Sequence, residues 1–204
     1  INKDCGAMNP DFLIQKTLHN KAKLGLSFDG DADRVMFCDE KGKIVDGDFV
    51  LAILAIFLQK SNSLKNNLIV STQMSNLGFR DFLKKKKINF ILSKVGDRYV
   101  IEEMKKNNCL VGGEPSGHII FSENSYCGDG IYTALLLMEI LHQEKCTLKQ
   151  MCDDIFVKVP QKLINLELKR NPEDILKDPQ LNNFLNNIYN EKKYDIVLRK
   201  SGTE

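Results

Sequence analysis

The chain has 204 residues, 43% hydrophobic and 27% charged, the balance of a soluble globular protein able to bury a sizeable core. Lys and Arg number 29 against 27 Asp and Glu, and the resulting net charge of +2 lacks the basic excess of a general nucleic-acid binder. The longest apolar run, Phe49–Leu58, falls far short of the roughly 20 residues of a membrane span, and no signal-peptide pattern opens the chain, so membrane and secreted classes are not expected.

In chain order, short apolar runs at 24–28 and 35–38 read as strands on either side of an acidic loop. The apolar block from Asp48 to Gln59 reads as a buried helix, with Asp46 or Asp48 as its cap. Strands at 67–72 and 88–95 then alternate with helices at 76–86 and 98–106. Short strands at 109–112 and 118–121 surround a Gly-rich turn, and a long apolar helix at 131–142 follows Gly128-Asp129-Gly130. Residues 147–155 read as a short closing helix, 156–168 as an extended stretch broken by Pro160, 171–190 as helical and 194–199 as a final strand. Such alternation predicts an α/β layer structure with a parallel or mixed sheet flanked by helices. Domain boundaries are expected near residues 45 and 160. The Lys84–Lys87 run reads as a solvated helix end. Six cysteines without a C-x-x-C pair give neither a zinc pattern nor a compact disulfide framework, so reduced, mostly buried thiols of a cytosolic protein are expected.

Four clusters carry candidate chemistry. In Asp29-Gly30-Asp31-Ala32-Asp33-Arg34, three carboxylates at alternate positions share one face if on a strand and converge on a point if on a tight loop. Hard divalent cations take such oxygen ligands, and Mg²⁺ often combines a few carboxylates with a phosphate oxygen. A competing calcium-module reading places Glu40 at the twelfth position of an EF-hand loop. Arg34, where that loop needs Gly, and flanks that read as strands rather than helices count against it, but a non-enzymatic divalent-ion module stays the alternative. Lys94-Val95-Gly96-Asp97-Arg98-Tyr99 lies at a strand-to-helix junction, where Lys94, Asp97 and Arg98 could meet a ligand or Asp97 could simply cap the helix. Gly112-Gly113-Glu114-Pro115-Ser116-Gly117-His118 offers an acceptor, a hydroxyl and an imidazole suited to sugar hydroxyls, or is a plain Gly-Pro turn. Finally, Arg199-Lys200-Ser201-Gly202-Thr203-Glu204 combines cations, hydroxyls and a glycine in a manner suited to a phosphate.

These four clusters in this order resemble the α-D-phosphohexomutase superfamily. Met74-Ser75-Asn76-Leu77-Gly78, the stretch from Lys94 to Val100, and Arg199 to Glu204 look most like its branch acting on glucosamine phosphates, with the related phosphomannomutase and phosphoglucomutase branches as the alternative. The resemblance spans essentially the whole chain, but family members have four domains and carry a phosphorylated serine in the first. No Ser-His-Asn-Pro-type serine loop occurs here. The resemblance therefore implies a fragment: residues 1–45 the end of a second α/β domain, 46–160 a third α/β domain, and 161–204 an incomplete α+β fourth. Pro115 departs from the family wording and would stiffen its loop.

By this resemblance Asp29, Asp31 and Asp33 are ligands of one Mg²⁺ and Arg34 neutralises phosphate charge beside it. Glu114 and Ser116 hold sugar hydroxyls in either orientation of a bisphosphorylated hexosamine intermediate. Arg199, Ser201, Gly202 and Thr203 grip the phosphate that is not reacting, and Lys94, Asp97, Arg98 and His118 line the cleft. The implied protein is a cytoplasmic isomerase of small sugar phosphates, with no nucleic-acid or membrane partner and with a homodimer among its conceivable assemblies. The fragment alone is expected to be inactive.

Overall fold

The computed structural model describes residues 3, 5–169, 171–190 and 195–200, which divide into two compact units, Ile1–Pro160 and Gln161–Glu204. The first unit opens with a helix that the sequence reading did not anticipate, α1 (Asp11–His19), which buries Leu13 and Thr17. Strands β1 (Leu24–Phe28), β2 (Val35–Asp39) and β3 (Ile44–Val45) follow as an antiparallel sheet in that order.

A larger sheet occupies the rest of the unit. Its strands β4 (Leu68–Thr72), β5 (Asn89–Ser93), β6 (Val111–Gly113) and β7 (Ile119–Phe121) lie in the order β5-β4-β6-β7. β4 pairs parallel with both neighbours, whereas β7 runs antiparallel to β6. The sheet is therefore mixed. Every residue of β4 is buried, as expected of a central strand covered on both faces.

Side-chain alternation along the strands divides the core. Ile69, Val111 and Ile119 pack with helices α2 (Gly47–Lys60), α3 (Leu77–Lys85) and α5 (Gly130–Glu144) through Leu54, Phe79, Phe82, Leu83, Leu137 and Ile140. Leu68, Val70 and Ile120 meet Val100 and Met104 of α4 (Asp97–Lys106) on the opposite face. Val35, Phe37 and Val45 belong to the first of these clusters, so the small sheet and the large one share one core. Residues Gly47–Ala55 of α2 are buried without interruption, as its all-round apolar pattern predicted.

Local chemistry sets the helix ends. Asp46, not Asp48, caps α2 by accepting from the Phe49 N–H, and Asp129 does the same for α5 through the Tyr132 N–H. Thr147 and Gln150 form a capping box at α6 (Leu148–Asp153). The expected cap of α4 is corrected: Gly96, at φ 123°, holds that position and Asp97 is the first helical residue. Between α6 and the end of the first unit at Pro160 the chain forms no regular element, yet it is docked. Phe156 stacks on Phe49 with ring centroids 4.3 Å apart, and Lys158 pairs with Asp46. The Asn76 side chain exchanges two hydrogen bonds with the Val159 backbone, at 2.8 and 2.9 Å.

The second unit contains α7 (Pro172–Leu176) and α8 (Pro179–Asn190). The helical segment expected over 171–190 is thus two helices. Pro179 brings no N–H, and Asp178 Oδ1 accepts from Gln180 N at 2.7 Å. The strand expected at 194–199 is not found among its described residues, 195–199, and Tyr194 lies outside them. Cys38, Cys109 and Cys152 are buried, Cys5 and Cys146 half-buried and Cys127 exposed, all as free thiols. Burial pushes Cys152 up to about 12. Among the described residues no helix is long and apolar enough to cross a membrane.

One buried carboxyl should make stability depend on pH. Asp48 is 1% exposed; its Oδ2 accepts from Asn76 N at 2.7 Å while its Oδ1 has no hydrogen-bond partner. Burial, reinforced by the charge of Asp46, pushes its pKa up to about 7. A folded-state value above the unfolded one means that this group stabilises most below the unfolded value near 3.8 and that its contribution is lost as pH rises through 7. Asp48→Asn keeps an acceptor for Asn76 and removes the charge. It should raise the melting temperature at pH 8 by several degrees, on the order of a few kcal/mol, and change it much less at pH 4, as calorimetry at the two pH values would read.

Candidate functional site

The six residues from Asp29 to Arg34 connect β1 to β2, whose register closes on the pair Phe28↔Val35. Two backbone N–H groups fold the loop on itself: Ala32 N, at φ 60°, donates to Asp29 O at 3.4 Å, and Arg34 N donates to the Asp29 side chain at Oδ1, 3.1 Å away. As a result one oxygen each from Asp29, Asp31 and Asp33 lies within 4.8 Å of the others. Of the two geometries open to the sequence, the loop has taken the convergent one.

Electrostatics bear on what this cluster can hold. Arg34 Nε lies 3.7 Å from Asp29 Oδ2 and 3.9 Å from Asp33 Oδ1. Burial, a hydrogen bond with Asp29 and the charges of Asp29 and Asp31 push the Asp33 carboxyl above its ordinary value, with His118 acting against them. Asp33 Oδ1 is buried without a hydrogen bond. An all-oxygen, carboxylate donor set with an orphaned buried oxygen fits a hard divalent cation such as Mg²⁺.

Two further loops clamp this one. Val35 N donates to Gly117 O at 3.1 Å, Gly130 N donates to Ala32 O at 2.9 Å, and Arg34 and His118 form an antiparallel bridge. The His118 ring is buried, its Nδ1 2.9 Å from Asp33 Oδ2. Gly128 makes room for it: a Cβ there would sit 2.5 Å from His118 Cε1 and 2.6 Å from Asp33 O.

Glu114 lies between β6 and β7, 9% exposed. Its backbone N donates to His118 O at 3.0 Å, and its Oε1 accepts from Gly96 N at 2.9 Å. Ser116 Oγ lies 3.5 Å from Glu114 Oε2. The Pro115 carbonyl accepts from Gly47 N at 3.1 Å, which ties the turn to the start of α2. The structure therefore joins Asp33, His118, Glu114, Ser116 and the loop before α4 in one hydrogen-bonded assembly.

The remaining candidates are placed differently. Lys94, Asp97 and Arg98 are exposed; Arg98 pairs with Glu102 at 2.9 Å, and Lys94 Nζ lies 5.7 Å from the Tyr99 ring centre. Arg199 is an exposed residue of the second unit, while Ser201, Gly202 and Thr203 lie outside the described residues. The calcium-module alternative is overturned: strands flank the loop, and Glu40 Oε1 accepts from Thr147 Oγ1 at 2.9 Å. Sequence reasoning missed the Gly96 N–H as a partner of Glu114, and the roles of Gly47 and Gly128. Only the glycines next to Asp46, Asp48 and Asp129 gave a signal.

Residues 46–159 match phosphoglucomutase/phosphomannomutase α/β/α domain III. The chain belongs to the phosphoglucomutase/phosphomannomutase family. Over its full length it is 44% identical to phosphoglucosamine mutases of Clostridium botulinum (strain Loch Maree / Type A3) and Thermoanaerobacter sp. (strain X514). It spans about half of each relative, 46%. The fold is shared with N-acetylglucosamine-phosphate mutase in its apo form, with a TM-score of 0.69 at 21% identity over 93% of this chain and 45% of that one. It is also shared with the Aspergillus fumigatus N-acetylphosphoglucosamine mutase solved in complex with GlcNAc-6P and magnesium, with a TM-score of 0.64 at 22% identity over 82% of this chain and 42% of that one.

Gly47 offers a direct check of the assembly. A Cβ there would lie 1.9 Å from Glu114 O and 3.1 Å from Gly117 N, both backbone atoms. Gly47→Ala must displace the Glu114 turn, at a cost of about 1–3 kcal/mol for an overpacked site. A drop of several degrees in melting temperature is expected, whereas an unchanged melting curve would show that the turn is not held as described.

Proposed function

We propose that this chain is the part of a phosphoglucosamine mutase that carries its metal, sugar and distal-phosphate loops. The reaction is the interconversion of glucosamine 6-phosphate and glucosamine 1-phosphate, in the supply of UDP-N-acetylglucosamine and cell-wall precursors in the cytoplasm. The observation that carries this reading is the 44% identity maintained over the whole chain. Residues 1–45, 46–160 and 161–204 are assigned to the second, third and fourth domains of the complete enzyme.

Asp29, Asp31 and Asp33 would hold one Mg²⁺, whose charge offsets that of the transferring phosphoryl group. Arg34, beside the same carboxylates, adds a second positive charge. Glu114 accepts hydrogen bonds from sugar hydroxyls and Ser116 adds a hydroxyl that can donate or accept, an adaptable pair for an intermediate that binds in two orientations. Lys94, Asp97 and Arg98 border this loop as exposed polar groups able to meet substrate. Arg199, Ser201, Gly202 and Thr203 are assigned the non-reacting phosphate, through charge-assisted and backbone N–H contacts. The phosphoserine donor comes from a domain outside these residues, and a bisphosphorylated hexosamine links the two half-reactions.

Purified alone, the 204-residue chain should show no turnover in a coupled assay supplied with the bisphosphorylated sugar, because the nucleophile is missing. A chimera in which residues 1–204 replace the matching segment of the Clostridium botulinum relative supplies the rest. In that chimera Asp31→Asn should lower turnover about 100-fold or more, while Glu40→Gln stays within about twofold of the parent because its partner is a remote threonine. Glu114→Ala should alter the preference for glucosamine 6-phosphate over glucose 6-phosphate. Arg199→Ala should raise KM for both sugars alike. An inactive chimera that folds normally, or equal effects of the Asp31 and Glu40 variants, would refute the reading.

A further inference from the structure

We propose that His118 is the residue that positions Asp33 for the cation, donating from Nδ1–H to Asp33 Oδ2 and so leaving Asp33 Oδ1 free to serve as ligand. This inference rests on the metal reading above and deepens it.

The geometry isolates the ring for this task. His118 is 4% exposed, its Nδ1 stands 2.9 Å from Asp33 Oδ2, and its Nε2 is buried without a hydrogen-bond partner. Since a carboxylate oxygen only accepts, Nδ1 must carry the proton. Asp33 Oδ1, the other oxygen, is also buried and lacks a hydrogen bond. One carboxylate of the acidic cluster thus has one oxygen fixed by a donor and one without a hydrogen bond, whose nearest cation is Arg34 Nε at 3.9 Å. That is how an outer residue orients a metal ligand, and loss of such a partner typically weakens metal affinity about 10- to 100-fold.

His118 is itself fixed at the backbone. Its carbonyl accepts from Glu114 N at 3.0 Å, it bridges Arg34, and Gly128 packs against its ring. The same residue thereby sets the position of the Glu114 turn through its backbone and of the metal loop through its side chain. The Glu114 turn and the third carboxylate are therefore held by one residue.

The test uses the 204-residue chain and Mn²⁺ as the probe, followed by electron paramagnetic resonance. Wild type should bind the ion and Asp31→Asn should lose it. His118→Leu should weaken binding about tenfold or more while His118→Asn, whose side-chain amide can donate from the place of Nδ1, stays within about threefold of wild type. Melting temperatures of the metal-free variants separate this effect from unfolding. A second measurement needs no variant: at pH 8, long-range ¹H–¹⁵N spectra of the three histidines should show the buried one as the Nδ1–H tautomer, distinct from exposed His19 and His142. If wild type and Asp31→Asn bind Mn²⁺ equally, the metal reading itself fails. If Asp31→Asn loses the ion but a folded His118→Leu binds like wild type, or the buried ring is the Nε2–H tautomer, the role assigned to His118 is wrong while the metal reading stands.

Discussion

Three carboxylates with oxygens within 4.8 Å of one another repel, and the structure around them has to hold them there. Two unit charges about 4 Å apart cost about 1 kcal/mol in water and about 4 kcal/mol at the effective dielectric of a protein surface. Pairing of β1 with β2 immediately outside the loop resists that force, since Phe28 and Val35 are directly opposed. Val35 and Phe37 are wholly buried in the main core, so opening the loop would drag apolar side chains out with it. Arg34 supplies a compensating charge beside the carboxylates, while burial first, and then its acidic neighbours, push the Asp33 carboxyl above its ordinary value.

The joints around the loop are made largely by the main chain. Val35 N to Gly117 O, Gly130 N to Ala32 O, and Gly47 N to Pro115 O connect segments far apart in sequence without involving a side chain. They bring the connection after β1, the start of α2, the turn between β6 and β7 and the start of α5 together. Gly96 N joins the segment after β5 to the same assembly through Glu114. Loops at strand ends are where α/β proteins place ligands, because the sheet holds them rigidly while leaving their tips variable. Here both sheets contribute, and their shared core fixes one loop against the other.

How far this was legible in the sequence depends on whether a signal was local. Alternating carboxylates and the all-apolar run of α2 carry their own periodicity, and both the loop and the buried helix were anticipated. α1 was not, because its apolar face is narrow: only Leu13 and Thr17 are buried. Asp97 was misplaced as a cap since Asp is the commoner residue there, while at φ 123° the backbone selects Gly96. The contact between Glu114 and Gly96 spans 18 residues and ends on a backbone N–H, which leaves no trace in residue types. Beyond residue 160 no described residue is buried. Hydrophobic spacing there had little core to report, and the strand expected at 194–199 had no packed face to support it.

Burial also sorts the charged and polar groups around the Glu114 turn. Glu114 is nearly buried, and its two side-chain oxygens act as acceptors in the hydrogen bonds they make. Gly96 N–H occupies one of its oxygens and Ser116 Oγ stands near the other, which leaves lone pairs for further donors. Of the cations in the same unit, Lys94 and Arg98 are exposed, while Arg34 is half-buried beside Asp29 and Asp33. The unit thus keeps its free acceptors near the core and the first two cations in water, as the cost of burying an uncompensated charge requires. Arg34 departs from that pattern because two carboxylates compensate it.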